Sequence, residues 1–106
     1  MNLHEVIDTL KTWIKTVKEK YRGQIDVEFL TECEDYLRCG IESRYYLAEL
    51  VVEPEGFHPY RFVSFEALDK RKSPEQEPYF YCDDEDSSME DILENLDKGM
   101  LYIVEG

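Results

Sequence analysis

Apolar residues recur at intervals of three and four near the start of the chain, and this spacing predicts an amphipathic helix over residues 2–22. Asn2 can cap the start of this helix, and Glu5 stands three residues later, at the reciprocal position of a capping box. Basic residues gather towards its end, where the helix dipole favours cations, and Gly23 follows as a residue that ends helices. The predicted apolar face consists of Leu3, Val6, Ile7, Leu10, Trp13, Ile14, Val17 and Tyr21.

The middle of the chain alternates apolar and polar residues, which is the pattern of strands with one buried face. The predicted strands are 24–31, 36–42, 43–53, 60–67 and 79–82. In the first, Phe29 is expected on the same buried face as Val27, and in the second Gly40 indicates a bulge or a close approach of another segment. The third and fourth flank a turn rich in proline and glycine, so they form a predicted hairpin. The expected inward face of the third strand is Tyr46, Ala48, Leu50 and Val52.

The last third of the chain begins with a polar, proline-punctuated loop at 68–78 and continues into a second predicted helix. The apolar face of that helix is Met89, Ile92, Leu93 and Leu96. Ser87 or Ser88 can cap its start, and Gly99 is expected to end it. The short apolar run 100–104 is then expected to be a buried strand.

These elements predict a single α+β domain over residues 1–106. Its element order is α-β-β-β-β-β-α-β, and its mostly antiparallel sheet contains about four to six strands. Both helices, one N-terminal and one near the C-terminus, are expected on the same face of the sheet, which gives a two-layer architecture.

The net charge of the chain limits the classes of partner that this domain can bind. The chain has a formal net charge of −13, and residues 73–106 contain eleven carboxylates but one lysine. Such a field repels nucleic-acid backbones and anionic membrane surfaces and favours encounter with basic proteins. The sequence therefore predicts no direct nucleic-acid or membrane binding. The alternative interpretation is that the charge only keeps the protein soluble.

Cysteine usage and metal-ligand spacing predict neither disulfides nor a cofactor. Cys33, Cys39 and Cys82 are odd in number and follow no disulfide or zinc spacing, which indicates a reducing cytoplasm. With the inhibitor interpretation given below, this would be the cytoplasm of a bacterial or phage-infected host cell. Whether the three lie near one another cannot be read from the sequence. A calcium-loop template over 83–94 fails because Ser88 occupies the position that requires glycine.

Catalysis has one sequence candidate, His58, which lies in a turn and could act with a cysteine or a carboxylate. The chain contains no glycine-rich phosphate loop, no G-x-S-x-G motif and no H-E-x-x-H motif. A histidine that packs against aromatic neighbours is the simpler interpretation, so the protein is not predicted to be an enzyme.

The acidic run 82–97 supplies the candidate binding residues. Four carboxylates follow one another at intervals of four, four and three residues, so they are expected to form one helical stripe with a spacing of roughly 5–6 Å along the axis. This stripe of Asp86, Glu90, Glu94 and Asp97 resembles a row of phosphates in sign, and Asp83, Asp84 and Glu85 extend it. A solvated helix face is the alternative.

Eight tyrosines are the second unusual feature, because aromatic side chains are enriched in binding hot spots. The pairs Tyr45 with Tyr46 and Tyr79 with Tyr81 are each expected to place one ring on either side of a strand, so Tyr45, Tyr79 and Tyr81 are further candidates. Tyrosine is also simply a good strand former, which is the alternative reading.

Together, charge and tyrosine content predict a non-catalytic, acidic protein-binding module that covers a basic surface of a partner. By composition alone, it fits an inhibitor of the immunity, antitoxin or phage anti-defence type, in which the charge imitates nucleic acid. The alternatives are a client binder like a secretion chaperone and a small enzyme or ligand-binding domain that uses His58. A homodimer is equally compatible with the sequence.

Overall fold

The computed structural model describes residues 1–56, 61–73 and 75–105. In this part of the chain, seven elements follow in the order α-β-β-β-β-β-α. They are helix α1 (Leu3–Lys20), strands β1 (Asp26–Cys33), β2 (Tyr36–Glu42), β3 (Tyr46–Val52), β4 (Val63–Asp69) and β5 (Tyr79–Cys82), and helix α2 (Met89–Glu105).

The five strands form one antiparallel sheet in the order of the sequence, so each strand pairs with the next one along the chain. The apolar faces of α1 and α2 join one face of this sheet in a single core. The predicted α+β class, the antiparallel sheet and the placement of both helices on one face are thus confirmed. The predicted hairpin is also confirmed, since β3 and β4 pair in register from Tyr46 with Asp69 to Val52 with Val63.

Helix α1 begins as its sequence predicts. The Asn2 side chain accepts a hydrogen bond from the backbone N–H of Glu5 at 3.0 Å and donates one to the Glu5 carboxylate at 3.1 Å. This cap stabilises the helix because it gives a hydrogen-bond acceptor to a backbone N–H of the first turn, which has none within the helix. Gly23 follows the helix with a φ of 84°, a left-handed conformation that glycine adopts without strain.

The core lies between the helices and the inward face of the sheet. The inward residues predicted for β3, Tyr46, Ala48, Leu50 and Val52, are all buried. Leu37, Cys39 and Ile41 of β2 lie opposite them in the register, and β4 adds Val63, Phe65 and Ala67. Phe65 is fully buried at the centre of this layer.

The C-terminal strand predicted at 100–104 is wrong, because α2 continues through this run to Glu105. Gly99 does not end the helix but is buried within it. A Cβ at this position would lie 2.8 Å from Cε1 of Phe65, so only glycine allows the helix to approach the sheet this closely. Glycine here serves close packing, and the apolar residues that follow it complete the buried face of α2.

The edge strand β1 also departs from its predicted pattern. It runs two residues later than expected, and an irregularity between Phe29 and Thr31 interrupts its pairing with β2. Phe29 is 40% exposed instead of buried, since it lies on an outer strand. The irregularity is therefore in β1, and a Cβ at Gly40 would lie 3.6 Å from Leu30 Cδ1, which is an ordinary van der Waals contact.

Candidate protein-binding surface

The acidic run begins with a carboxylate that serves the fold. Asp83 is fully buried directly after β5. One of its oxygens accepts hydrogen bonds from the backbone N–H groups of Phe62 at 2.9 Å and Val63 at 2.8 Å. Asp83 thus holds the beginning of β4 beside the end of β5 and is closed to a partner.

The next residues build the start of α2. The Asp84 carboxylate accepts hydrogen bonds from the Asp86 N–H at 2.9 Å and the Ser87 hydroxyl at 3.2 Å, which closes a turn. Ser88 then caps the helix in a reciprocal box, with hydrogen bonds of 3.0 and 3.1 Å to and from Asp91. Hydrogen bonding of the Asp91 carboxylate by the Ser88 backbone N–H, and by the Ser88 hydroxyl, lowers the pKa of Asp91. Of the two predicted caps, Ser88 is the one that forms.

The predicted stripe is not one helical row. Asp86 lies in the turn that precedes α2, outside its helical spacing. Asp97 accepts a hydrogen bond from the indole N–H of Trp13 at 2.9 Å and so ties α2 to α1. Glu94 forms an ion pair with Lys98, one helical turn further on, with 3.6 Å between Glu94 Oε1 and Lys98 Nζ. Most carboxylates of this run therefore have local structural roles.

Glu85, Asp86 and Glu90 are the remaining candidates of the run, and all three are exposed. Glu90 stands in the first turn of α2. A carboxylate there interacts favourably with the positive end of the helix dipole, so Glu90 also supports the helix that carries it.

The tyrosines of β5 face the helical layer. Tyr79 and Tyr81 are two residues apart, so both rings point to the same side, which corrects the prediction of one on either side. Tyr79 stacks on Tyr102 of α2 with 4.6 Å between ring centroids. Burial raises the pKa of Tyr81 to about 12. The exposed aromatic ring of this strand is Phe80, which points the opposite way and is 53% exposed.

Tyr45 lies just before β3, at one end of the sheet, and is surrounded by cations. The guanidinium carbons of Arg44 and Arg71 lie 4.9 and 4.2 Å from its ring centroid. Arg71 also forms a bidentate salt bridge with Asp69, in which each hydrogen bond measures 2.9 Å. These bonds lower the pKa of the largely buried Asp69 to about 2. Tyr45 thus belongs to a local cation–π cluster.

The three cysteines lie apart on strands β1, β2 and β5. Cys39 is buried in the core, and burial raises its pKa to about 11. Burial and the neighbouring Asp83 also raise the pKa of Cys82. Cys33 and Cys82 lie on opposite outer strands of the sheet. His58 lies outside the described residues, so its proposed partnership stays a prediction; within the described ranges no three metal-binding side chains cluster.

A second candidate surface is the face of the sheet that points away from both helices. No described element covers this surface, which we call the open face. It is formed by Asp26, Glu28, Leu30, Arg38, Gly40, Glu42, Leu47, Glu49, Val51, Ser64, Glu66, Leu68 and Phe80. The middle of the open face is concave, and this concave surface encloses a volume of about 410 Å³ that is open to solvent.

Three glutamates lie in one row across the open face. The strand register places Glu28 opposite Gly40, Gly40 opposite Glu49, and Glu49 opposite Glu66. We call Glu28, Glu49 and Glu66 the glutamate row. Directly opposed residues on neighbouring strands have Cβ atoms roughly 4.5–5.5 Å apart, and like charges at that distance destabilise the pair. The register thus places the like-charged Glu49 and Glu66 directly opposite each other, an unfavourable pairing.

Internal cations neutralise only part of the open face. Arg38 donates a hydrogen bond to Glu49 at 2.9 Å, and Lys70 donates one to Glu42 at 2.7 Å. The bond with Glu49 raises the pKa of Arg38. In the described part of the chain, Glu28 and Glu66 have no ion-pair partner. The concave surface therefore retains negative charge on both sides of its centre.

Apolar side chains surround the glutamate row. They form what we call the apolar patch, which consists of Leu30, Leu47, Val51, Leu68 and Phe80. Leu47 and Leu68 lie directly opposite each other and Leu47 is 51% exposed, while Phe80 lies opposite Glu66. The Leu30 side chain packs over Gly40, with Cδ1 at 3.6 Å from where a Cβ of Gly40 would lie. Leu47 and Leu68 are thus adjacent and exposed, and exposed apolar side chains that lie together beside polar residues are typical of protein interaction sites.

Sequence reasoning missed this surface although a signal for it was present. The alternation in β3 that predicts an inward face also places Leu47, Glu49 and Val51 together on the opposite face. Two apolar residues out of three are unusual on a face in contact with water. What the sequence did not reveal is the pairing that brings this strand beside Glu66 and Leu68.

Comparisons of the chain with models of protein families, with curated proteins and with solved structures find no match. Neither helix in the described ranges is both long and apolar enough to cross a membrane.

Proposed function

We propose that the protein is a non-catalytic acidic module that binds a partner protein through the open face and covers a basic, partly apolar surface of that partner. The observation that carries the proposal is the uncovered sheet face, where the apolar patch surrounds carboxylates that lack internal cations. Apolar burial supplies affinity, and the glutamate row selects positive charge.

The charge of the open face argues for a basic protein over other occupants. Nucleic acid would bring phosphates against Glu28 and Glu66 in a chain that already carries a net charge of −13. A two-fold dimer through this face would place one glutamate row against another, since both copies use the same patch. A partner that presents lysine or arginine gains attraction in place of repulsion.

The proposed role is that of an inhibitor or antitoxin type of module. A partner whose basic surface normally contacts nucleic acid would lose access to it once this domain is bound. The acidic run 82–97 contributes mainly to the long-range field in this proposal, because its carboxylates largely support local structure. The three cysteines are free, which suits the cytoplasm as the proposed location.

The test compares equal charge changes at two places. The unmodified protein and two double variants serve as baits in cells of the native source. The open-face variant combines Glu28→Gln with Glu66→Gln. The α2 variant combines Glu90→Gln with Glu94→Gln. We expect the unmodified bait to retain a basic protein at about 50 mM NaCl and much less of it at about 300 mM. The open-face variant should lose this protein.

The α2 variant is the matched control, because it removes the same two charges while leaving the open face unchanged. It should retain the basic protein nearly as well as the unmodified bait. Equal retention by the open-face variant, or loss that is the same for both variants, would contradict the proposed location. Recovery that does not respond to salt would contradict the proposed chemistry.

A further inference from the structure

We infer that the segment of the partner that occupies the open face is an amphipathic α-helix that bears lysine or arginine beside an apolar stripe. This inference rests on the proposed function, since it specifies the shape and chemistry of what the open face receives. It follows from which backbone groups of the sheet are still available and from how apolar and acidic side chains alternate along β3 and β4.

The edges of the sheet are poor places for an added partner strand. β1 has an irregular register between Phe29 and Thr31, and a bulge of this kind disturbs the row of backbone groups that a new strand needs. β5 is only four residues long and contacts α2. Strand addition, the usual way in which an extended peptide binds a sheet, is therefore disfavoured here.

The open face itself also cannot satisfy an extended backbone. The N–H and C=O groups of β2, β3 and β4 bond to their neighbours within the sheet. An extended segment lying across them would leave its own polar backbone groups without partners, which is costly once water is excluded. A helix satisfies its backbone internally, so it can cover the face without this cost. Helices on both faces of a sheet are a common layer architecture.

The pattern of side chains specifies the charge arrangement of this helix. Along β3 and β4, the apolar pair Leu47 and Leu68 is followed by Glu49 and Glu66, and then by Val51 beside Ser64. An apolar stripe on the helix packs on the apolar patch, and lysine or arginine at its sides reaches the glutamate row. The long stems of these side chains lie over leucine while their charged ends meet carboxylates.

The length of the central strands sets the approximate length of the partner helix. A seven-residue strand such as β3 spans about 23 Å at roughly 3.3 Å per residue. A helix that follows the strands over this distance needs about 15 residues at 1.5 Å each. A helix is about 10 Å wide, so it covers two adjacent strands, such as β3 and β4, and touches their neighbours.

The experiment uses synthetic peptides as stated probes. The first is a capped peptide of about 16 residues made of leucine, alanine and lysine, with leucine on one helical face and lysine on its flanks. The second has the same composition in an order without an apolar face. The third has glutamate in place of lysine. Each is titrated into the isotopically labelled protein, and backbone amide shifts are recorded by NMR.

We expect the first peptide to shift amides of β2, β3 and β4 around Gly40, Glu49 and Glu66, and the other two peptides to bind at least about tenfold more weakly. Replacing Leu47 and Leu68 with serine should weaken the first peptide by about tenfold. The Glu28→Gln, Glu66→Gln variant should weaken it by about threefold to tenfold.

Equal binding of the scrambled peptide, shifts confined to α2, or no binding of the first peptide would each overturn the helical occupant. These outcomes are distinct from failure of the proposed function, which is measured by capture of a basic protein. If a basic protein is captured through the open face while the amphipathic peptide does not bind there, the module function stands and the helical occupant falls.

Discussion

Neutralising Glu66 should stabilise the protein, because the glutamate row places like charges directly opposite each other in the sheet. Two unit charges about 5 Å apart repel by about 0.8 kcal/mol in water. Arg38, which bonds to Glu49 at 2.9 Å, offsets part of this repulsion. We therefore expect Glu66→Gln to raise the free energy of unfolding by about 0.2–0.8 kcal/mol.

The assay is urea denaturation of both proteins at low and high ionic strength. The Debye length falls from about 30 Å at 0.01 M to about 3 Å at 1 M salt, so the gain should be present at the first and nearly absent at the second. The matched control is Glu90→Gln, which removes the same charge from the first turn of α2. That change should cost about 0.3–1 kcal/mol, because a favourable interaction with the helix dipole is lost.

Opposite signs for the two variants would show that local placement of charge, and not its total, determines the effect. The reasoning is refuted if Glu66→Gln destabilises the protein, if both variants change stability by the same amount, or if the gain persists unchanged at high salt. A stabilising substitution at a binding face would also fit a general pattern in which binding surfaces are not optimised for stability.

Three further predictions concern contacts within the fold. Arg71 holds the pKa of Asp69 at about 2, below its ordinary value near 3.9, so Asp69 contributes stability above about pH 4 that is lost as the pH falls through about 2. Urea titrations from pH 5 to pH 2 should show the stability difference between the protein and Asp69→Asn shrinking with acid, and a constant difference would contradict this. Asp97→Ala should lower the free energy of unfolding by about 1–2 kcal/mol, because Trp13 loses its hydrogen-bond acceptor, whereas Asp97→Asn retains an oxygen and should cost less. Trp13 is the sole tryptophan, so its fluorescence follows both variants, and equal losses would contradict the hydrogen-bond explanation. Gly99→Ala should lower stability by about 1 kcal/mol, since the clash of its Cβ with the Phe65 ring at 2.8 Å costs about 2 kcal/mol and the gain in helix propensity returns about 1 kcal/mol. Calorimetry should show a lower Tm, and a raised Tm would indicate that the helix has room for the methyl group.

Periodicity predicted most of the fold because the chain uses each pattern consistently. The spacing of three and four in α1 and the alternation in β3 each agree with the capping and turn residues around them. The region 100–104 was mistaken for a strand because a short apolar run has no period that separates a strand from a buried helical turn. Gly99 reinforced the error, since its reason for being glycine is Phe65, a residue far away in sequence.

The candidate site was harder to predict for a different physical reason. The acidic run 82–97 is conspicuous because its carboxylates lie close together in the sequence, yet the structure gives Asp83 and Asp97 internal hydrogen bonds. The glutamate row is inconspicuous because its members come from three separate strands. Only the register, in which Glu49 lies opposite Glu66, brings their charges together, and register is not visible in single-strand patterns.

The central claim is that a basic partner sits on the open face, and site-specific photo-crosslinking measures this directly. A photoreactive amino acid replaces Leu47 on the open face in one variant and Glu90 on α2 in another, and both are irradiated with the captured basic partner. Both positions are exposed, so both can react with a neighbour. We predict a crosslinked product from position 47 and none from position 90. A product from position 90 alone would place the partner on the acidic helix and contradict the account.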